Sequence, residues 1–391
     1  MIQLRKSRRA GWGSLVVLVL AILLAVTAPV SAAPPDTDPG PPPEQFFVLG
    51  FHELPPGLAR GQEIHGAAVR RVDPTLRFAR VVTRSPQQFQ DRARSDRRTR
   101  YVEPDPDMPL ALNTPNDPRF SDQYGPQRVG APQAWDMTMG DQDARLCVLD
   151  TGVRYTHEEI AGARWLGGTD YVNEDSDPMD DDGHGTHVTG IAAGAVNNGK
   201  GVAGMGNVGI YGVKVLDDKG KGAWSGVASG IAWCADRGGR AVINMSLGAS
   251  SDATVLQDGV KYAAGKGALM VAAAGNSGSC SNCVDYPAKY GEVIAVTCTT
   301  STDKQCSFSS DGPESELAAP GNSILSLGNS SDTAYTSISG TSMSTPHVAG
   351  AAALVWSQHT QLSADQLRER LRGSARDLGA VGWDEVYGYG L

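Results

Sequence analysis

The chain has 391 residues, 40% of them hydrophobic and 20% charged, which is ordinary for a soluble globular protein and long enough for one large domain with appendages. Its formal net charge is −9, and the negative charge is concentrated beyond residue 107. An acidic body without a basic patch argues against nucleic acid and anionic membrane as partners.

Residues 1–32 have the layout of a signal peptide: Arg5, Lys6, Arg8 and Arg9 precede an apolar run from Leu15 to Val26, and Val30-Ser31-Ala32 suits a small-residue cleavage site. That run is shorter than the roughly 20 apolar residues of a spanning helix, so export and a secreted, extracellular product are expected. Arg8-Arg9 leaves a twin-arginine route open, although Ala10, Gly11 and Trp12 are not the apolar residues usual after it. Residues 33–44, opening APPDTDPGPPP, form a linker. Residues 45–107 form a small α+β unit: a strand-like FFVLGF, a basic stretch at Arg70-Arg71, a second strand FARVVT, a polar helical stretch and YVEPD.

From residue 113 to 391 the pattern alternates. LCVLD, IYGVKVL, AVINMSLG, ALMVAAAGN and EVIAVTC are short apolar runs suited to buried strands. Between and after them lie the helical stretches GTHVTGIAAGAV, SGVASGIAWCADRG, ATVLQDGVKYAAGKG and SMSTPHVAGAAALVWSQH, and Ser363 with Gln366 makes a capping box before ADQLRERL. This implies an α/β fold with a mostly parallel central sheet covered on both faces, whose reactive site lies off the carboxyl ends of the strands.

Six cysteines in an exported chain permit disulfides. Cys280 with Cys283, and Cys298 with Cys306, are expected as two local bridges, and Cys147 and Cys234, each in an apolar segment, as buried free thiols. No second pair stands at metal-ligand spacing, and no βαβ redox context surrounds the CxxC.

Asp150 ends the first strand of the expected sheet within VLDTGV. His184 opens a helix within DDGHGTHVTG, and Ser342 opens another within GTSMSTPHVAG. A serine hydroxyl is a weak nucleophile until an imidazole takes its proton, and the imidazole needs a carboxylate to fix its tautomer and stabilise its charged form. Placement at a helix N-terminus favours the developing negative charge at Ser342. Asn276, ending AAAGN, is placed to offer its side-chain amide beside the backbone N–H of Ser342 to a tetrahedral intermediate. The three residues are therefore the expected catalytic triad of a serine endopeptidase. His187 and His347 are expected to be packed histidines, and Met343 a packing residue. The GxGxxG match at 204–209 precedes a strand, so it is a chance match.

DTGV, HGTHVTG, INMSLG, AAAGN and GTSMSTPHVAGAAAL, in this order, resemble the subtilisin-like serine proteases, the subtilase family, whose chain order is Asp, His, Ser. TPNDPRFSDQYGPQRVGAPQAWD resembles the start of thermitase-type and halolysin-type members, and residues 45–107 resemble the inhibitory propeptide. The resemblance implies a zymogen whose propeptide assists folding and inhibits in cis, released by self-cleavage between Asp105 and Asn116. It implies a monomer acting on proteins and peptides with broad specificity. Gly220, Lys221 and Gly222, with Ser246, Leu247 and Gly248, are then the two edges that clamp substrate as an added strand, joined by Ala274 and Gly275. Asp285 falls at the floor of the S1 pocket, where many relatives carry a small residue. The ending EVYGYGL resembles a point at which relatives continue into a closing segment.

GTDYVNEDSDPMDDDG gathers Asp170, Asn173, Asp175 and Asp177 on a short loop, a pattern suited to calcium. The family likeness implies a second calcium site at Asp117, Glu159 and Asn198, with Glu159 standing where aspartate is usual. No organic cofactor is expected. A catalytically silent binding protein on the same fold would show damage at a triad position or at Asn276, and none is seen. A lipase or esterase would need GxSxG and the order Ser, Asp, His, whereas Ser342 lies in GTSMS.

Overall fold

The computed structural model describes residues 44–105 and 114–391, apart from 161, 163, 239 and 281. The leader, nearly all of the Pro-rich linker and the segment 106–113 within the expected self-cleavage region lie outside the described residues. The chain divides into two units, Met1–Met108 and Pro109–Leu391. Among the described residues no helix is long and apolar enough to cross a membrane.

In the first unit, β1 (Gln45–Phe51), β2 (Glu63–Ile64), β3 (Ala67–Asp73), β4 (Phe78–Thr83) and β5 (Thr99–Pro104) form an antiparallel sheet in the order β2-β3-β4-β1-β5, with α1 (Pro86–Ser95) between β4 and β5. Alternate residues of β1, Phe47, Leu49 and Phe51, share one face and bury against Phe89 and Ala93, one turn apart on α1. The basic stretch at Arg70-Arg71 is strand β3, since Ala67 and Val69 still alternate into this core.

The second unit opens with two short helices, α2 (Tyr124–Arg128) and α3 (Ala131–Trp135). Its sheet contains β6 (Ala144–Asp150), β7 (Trp165–Asp170), β8 (Gly209–Lys214), β9 (Arg240–Met245), β10 (Leu269–Ala273), β11 (Val293–Thr299) and β12 (Ser315–Pro320). The order is β12-β11-β10-β9-β6-β8-β7 and all six pairings are parallel. All five expected strands lie within it. The edges β7 and β12 were not legible: β7 carries Gly167 and Gly168 in place of an apolar pattern. In β12, Glu316 is buried because Arg368 and Arg372 pair with it at 2.5 and 2.8 Å. Beside the sheet, β13 (Ile324–Leu327) and β14 (Tyr335–Ile338) form an antiparallel hairpin.

Helices cover both faces. On β6, Leu146 and Val148 enter the core beneath α4 (His184–Ala193) and α7 (Thr341–Gln358), while Cys147 and Leu149 enter the core beneath α5 (Trp224–Asp236) and α6 (Thr254–Gly265). α8 (Ala364–Ser374) carries the expected capping box, with Gln366 N donating to Ser363 Oγ at 3.2 Å and Ser363 N to Gln366 Oε1 at 3.0 Å.

The expectation of free thiols at Cys147 and Cys234 is corrected. They form a disulfide across 87 residues, with Cα atoms 6.0 Å apart. Alternation along β6 puts Cys147 on the face covered by α5, where Cys234 lies, so the bond ties that helix to the middle of the sheet. The Cys280–Cys283 and Cys298–Cys306 bridges are present as expected. Because a long-loop crosslink constrains the unfolded chain, replacing Cys147 and Cys234 together by serine should cost about 2–4 kcal/mol of stability, read from denaturant unfolding.

Candidate active site

With every sheet pairing parallel, the carboxyl ends of the strands share one edge. Asp150 is the last residue of β6, Ser246 follows the last residue of β9, and Ala274, Gly275 and Asn276 follow β10. The N-termini of α4 and α7, carrying His184 and Ser342, reach the same region.

Asp150 is fully buried, and its Oδ1 lies 2.7 Å from His184 Nδ1 while accepting the N–H of Thr151 at 2.8 Å. The neighbours of this pair are joined as well, since Gly185 N donates to Thr151 Oγ1 at 2.9 Å. Gly185 must be glycine here, because a Cβ would stand 2.1 Å from Gly152 O and 2.9 Å from Asp150 Cβ. Buried Asp180 completes the frame. Its Oδ1 accepts Thr151 Oγ1, Asp182 N and Gly183 N at 2.9–3.1 Å, and its Oδ2 accepts the N–H and hydroxyl of Thr186 at 2.8 and 2.5 Å. One carboxylate thus joins the strand exit after Asp150 to the helix start at His184.

Burial pulls the His184 pKa down, but the charge and hydrogen bond of Asp150, with the nearby charges of Asp182 and Asp180, outweigh it, so the net shift is upward. His187 and His347 behave as the expected packed residues. Nε2 of His187 lies 3.0 Å from Ile324 O, Nδ1 of His347 lies 2.9 Å from Met343 O, and burial brings each pKa down to about 4.

Ser342 is the second residue of α7, where backbone N–H groups have no intrahelical acceptor. Its Oγ donates to Ser246 O at 3.2 Å, and Ser246 Oγ donates to Ser342 O at 2.8 Å. The second bond has a cause in the sequence: Pro346, four residues on, has no N–H to meet the Ser342 carbonyl. Asn244 Nδ2 in turn donates to Ser246 Oγ at 3.0 Å. Asn276 Oδ1 accepts Thr341 N at 2.9 Å and Thr341 Oγ1 at 3.1 Å, which leaves its Nδ2 uncommitted beside Gly340.

Gly220, Lys221 and Gly222 line one cleft of 630 Å³ together with Ser246, Leu247, Gly248 and His184, and Leu216 and Trp224 lie in its wall. Asp285 lies beyond the foot of Gly248 and Gly275. Thr341, Asp180 and the hydroxyl role of Ser246 were not anticipated. They act through backbone groups and neighbouring side chains, and the only sequence signal was their position inside the GTSMS, DDDGH and MSLG motifs.

On the acidic loop, Asp170 accepts Val172 N, Asn173 N and Asn173 Nδ2 at 2.6–2.9 Å. Asp175 accepts Asp177 N at 2.8 Å, and Asp177 accepts Tyr155 Oη at 3.0 Å. These carboxylates close turns, and among the described residues no three Asp, Glu, His or Cys side chains gather as a metal cluster. Each of these carboxylates is engaged within or beside its own turn. The second set differs. Asp117 and Glu159 are both buried, with no ion-pair partner among the described residues, and Asn198 joins them through its N–H to Asp117 Oδ1 at 3.1 Å and its Nδ2 to Glu159 Oε2 at 2.7 Å. Burial raises both pKa values, and the charge of Asp117 raises that of Glu159 further. The Arg164 guanidinium is near enough for its charge and that of Glu159 to interact but forms no ion pair with it, and two buried carboxylates without an ion-pair partner fit a hard divalent ion.

Residues 141–390 match the family model described as the subtilase family, peptidase S8. This chain belongs to the subtilase family. It is 46% identical over 271 residues to thermitase of Thermoactinomyces vulgaris, covering 69% of this chain and 94% of thermitase. It is 38% identical over 379 residues to the halolysin-like extracellular serine protease Nep of Natrialba magadii, covering 92% of this chain and 68% of that protein. The solved structure of sphericase superposes with a TM-score of 0.61 at 33% identity, over 64% of this chain and 91% of that one. This subtilase is a serine endopeptidase acting on proteins, with the subtilisin-like fold and a small antiparallel α+β region before it.

Asp182 Oδ1 accepts His184 N at 3.0 Å, and asparagine keeps that acceptor while removing the charge. The Asp182→Asn variant should therefore move the acid limb of the kcat/KM profile to lower pH, since less negative charge favours neutral His184. An unmoved limb would contradict the electrostatic account.

Proposed function

We propose that this subtilase is exported as a self-processing zymogen in which Asp150, His184 and Ser342 form the catalytic triad. The observation that carries the reading is the 2.7 Å contact between buried Asp150 and His184 Nδ1, on the same strand edge as Ser342 and an asparagine amide fixed by Thr341. In this reading the Ser342 hydroxyl swings from Ser246 O towards His184 Nε2, gives up its proton and attacks the scissile carbonyl. Asp150 holds the tautomer and stabilises the imidazolium. Negative charge on the carbonyl oxygen is met by Asn276 Nδ2 and Ser342 N–H. His184 then protonates the leaving amine, and water hydrolyses the acyl-enzyme by the same relay in reverse.

Gly220–Gly222 and Ser246–Gly248 hold the substrate main chain as an added strand, which supports broad tolerance of side chains. The first unit serves as the inhibitory propeptide, residues 1–32 as the export signal, and cleavage between Asp105 and Asn116 frees a monomeric enzyme. Removing the Asn276 amide by Asn276→Ala should lower kcat on the order of 100 to 1,000-fold with little change in KM, the loss known for the corresponding subtilisin donor. The zymogen reading is tested by expressing the full chain with Ser342→Ala: the variant should accumulate uncut while the wild type matures. Normal maturation of the purified variant would refute self-processing.

Calcium is assigned to Asp117, Glu159 and Asn198, where it would supply the missing countercharge and tie the segment around residue 117 to the loop at 197–202. Folded-state pKa values raised above their unfolded values mean that, without the ion, stability falls as pH rises through the carboxyl range. Millimolar calcium should slow thermal inactivation at neutral pH relative to EGTA, and an Asp117→Asn, Glu159→Gln double variant should lose that dependence. Equal protection of wild type and variant would place the ion elsewhere.

A further inference from the structure

Asp285 lies at the foot of both candidate substrate walls, and the backbone fixes it there. Its N–H donates to Ala274 O at 2.9 Å, and the next residue, Tyr286, exchanges two hydrogen bonds with Ala249 at 2.9 and 3.0 Å. The residue thus spans the gap between the segment that ends at Asn276 and the segment that follows Ser246. Its carboxylate comes up between their glycines: a Cβ built on Gly275 would lie 2.6 Å from Asp285 Oδ2, and one on Gly248 would lie 3.0 Å from Asp285 Cβ. Gly275 has φ +113, so the narrow approach is built into the backbone.

This carboxylate takes part in no hydrogen bond or ion pair among the described residues, although it is only partly exposed. The charge of Lys289 acts on Asp285 only at a distance, since its Nζ lies 2.8 Å from Asn282 Oδ1 and 3.9 Å from Glu314 Oε1. A half-buried carboxylate without a bonded partner is costly, and at the foot of Gly248, which lines the cleft, a cation brought by a ligand would supply one.

Building on the proposed triad and oxyanion site, we infer that Asp285 selects a lysine or arginine side chain at P1, the residue whose carbonyl Ser342 attacks. The selectivity is a preference on substrates supplied from solution. Residues 101–118 contain no Lys or Arg, so self-cleavage there proceeds without it, helped by the high effective concentration of an intramolecular substrate.

The test compares mature wild type with Asp285→Asn on peptide p-nitroanilides that differ only in Lys, Arg or Phe at P1. The ratio of kcat/KM for Lys over Phe should fall by about tenfold or more, the scale of one charge-assisted hydrogen bond, with the Phe value itself rising. Turnover of the Phe substrate by both proteins shows the hydrolytic machinery intact, so an unchanged ratio overturns the selectivity alone. Benzamidine binding, followed by calorimetry, probes the slot without turnover. It should bind wild type and lose about tenfold or more in affinity for the variant; equal affinity for both overturns the assignment.

Discussion

The 2.7 Å contact between Asp150 and His184 joins the last residue of a central strand to the first residue of a helix, and the rest of the site depends on holding it. A carboxylate with no exposure is costly unless donors meet it, and here Oδ1 takes both the Thr151 N–H and the imidazole, while Oδ2 has no hydrogen-bond partner among the described residues. The parallel sheet supplies the other condition. Because every strand runs the same way, the exits of β6, β9 and β10 meet at one edge, so the carboxylate, the Ser246 segment and Asn276 need no further rearrangement to converge. Asp180 and Thr151 then lock the strand exit to the start of α4 through short hydrogen bonds.

Ser342, the proposed nucleophile, is positioned by a defect in its own helix. Pro346 removes the N–H that would have met the Ser342 carbonyl, and Ser246 Oγ, steadied by Asn244, takes that place. The Ser246 segment, a proposed substrate wall, is thereby tied to Ser342, so a shift in one is felt by the other. Thr341 does the same for Asn276, the proposed oxyanion donor: by occupying Asn276 Oδ1 from two directions it fixes which way the amide faces. In each case a side chain of modest reactivity sets the direction of a reactive one.

The places of Asp150, His184 and Ser342 were legible in the sequence because each sits at an element boundary that glycine and apolar runs mark clearly. The central strands were legible for the same reason: a strand buried on both faces is a continuous apolar run. The edges were not. β7 has glycines where its pattern should be, and β12 carries Glu316, which is tolerable in the interior only because two arginines of α8 reach it. The Cys147–Cys234 bond was missed because alternation gives the face of Cys147, whereas its pairing depends on how α5 is rotated above the sheet. The two acidic sets differ in their geometry. The cluster that looks acidic in sequence closes its own turns, while Asp117 and Glu159, far apart in the chain, meet in the interior with no ion-pair partner among the described residues.

The account stands or falls on Ser342 being the activated nucleophile of this edge. The most direct measurement is to treat the mature protein with a fluorophosphonate and locate the adduct by peptide mass spectrometry. The account predicts one adduct, on Ser342, abolished by His184→Ala as well as by Ser342→Ala. An adduct on another serine, or peptide hydrolysis that persists in Ser342→Ala, would contradict it.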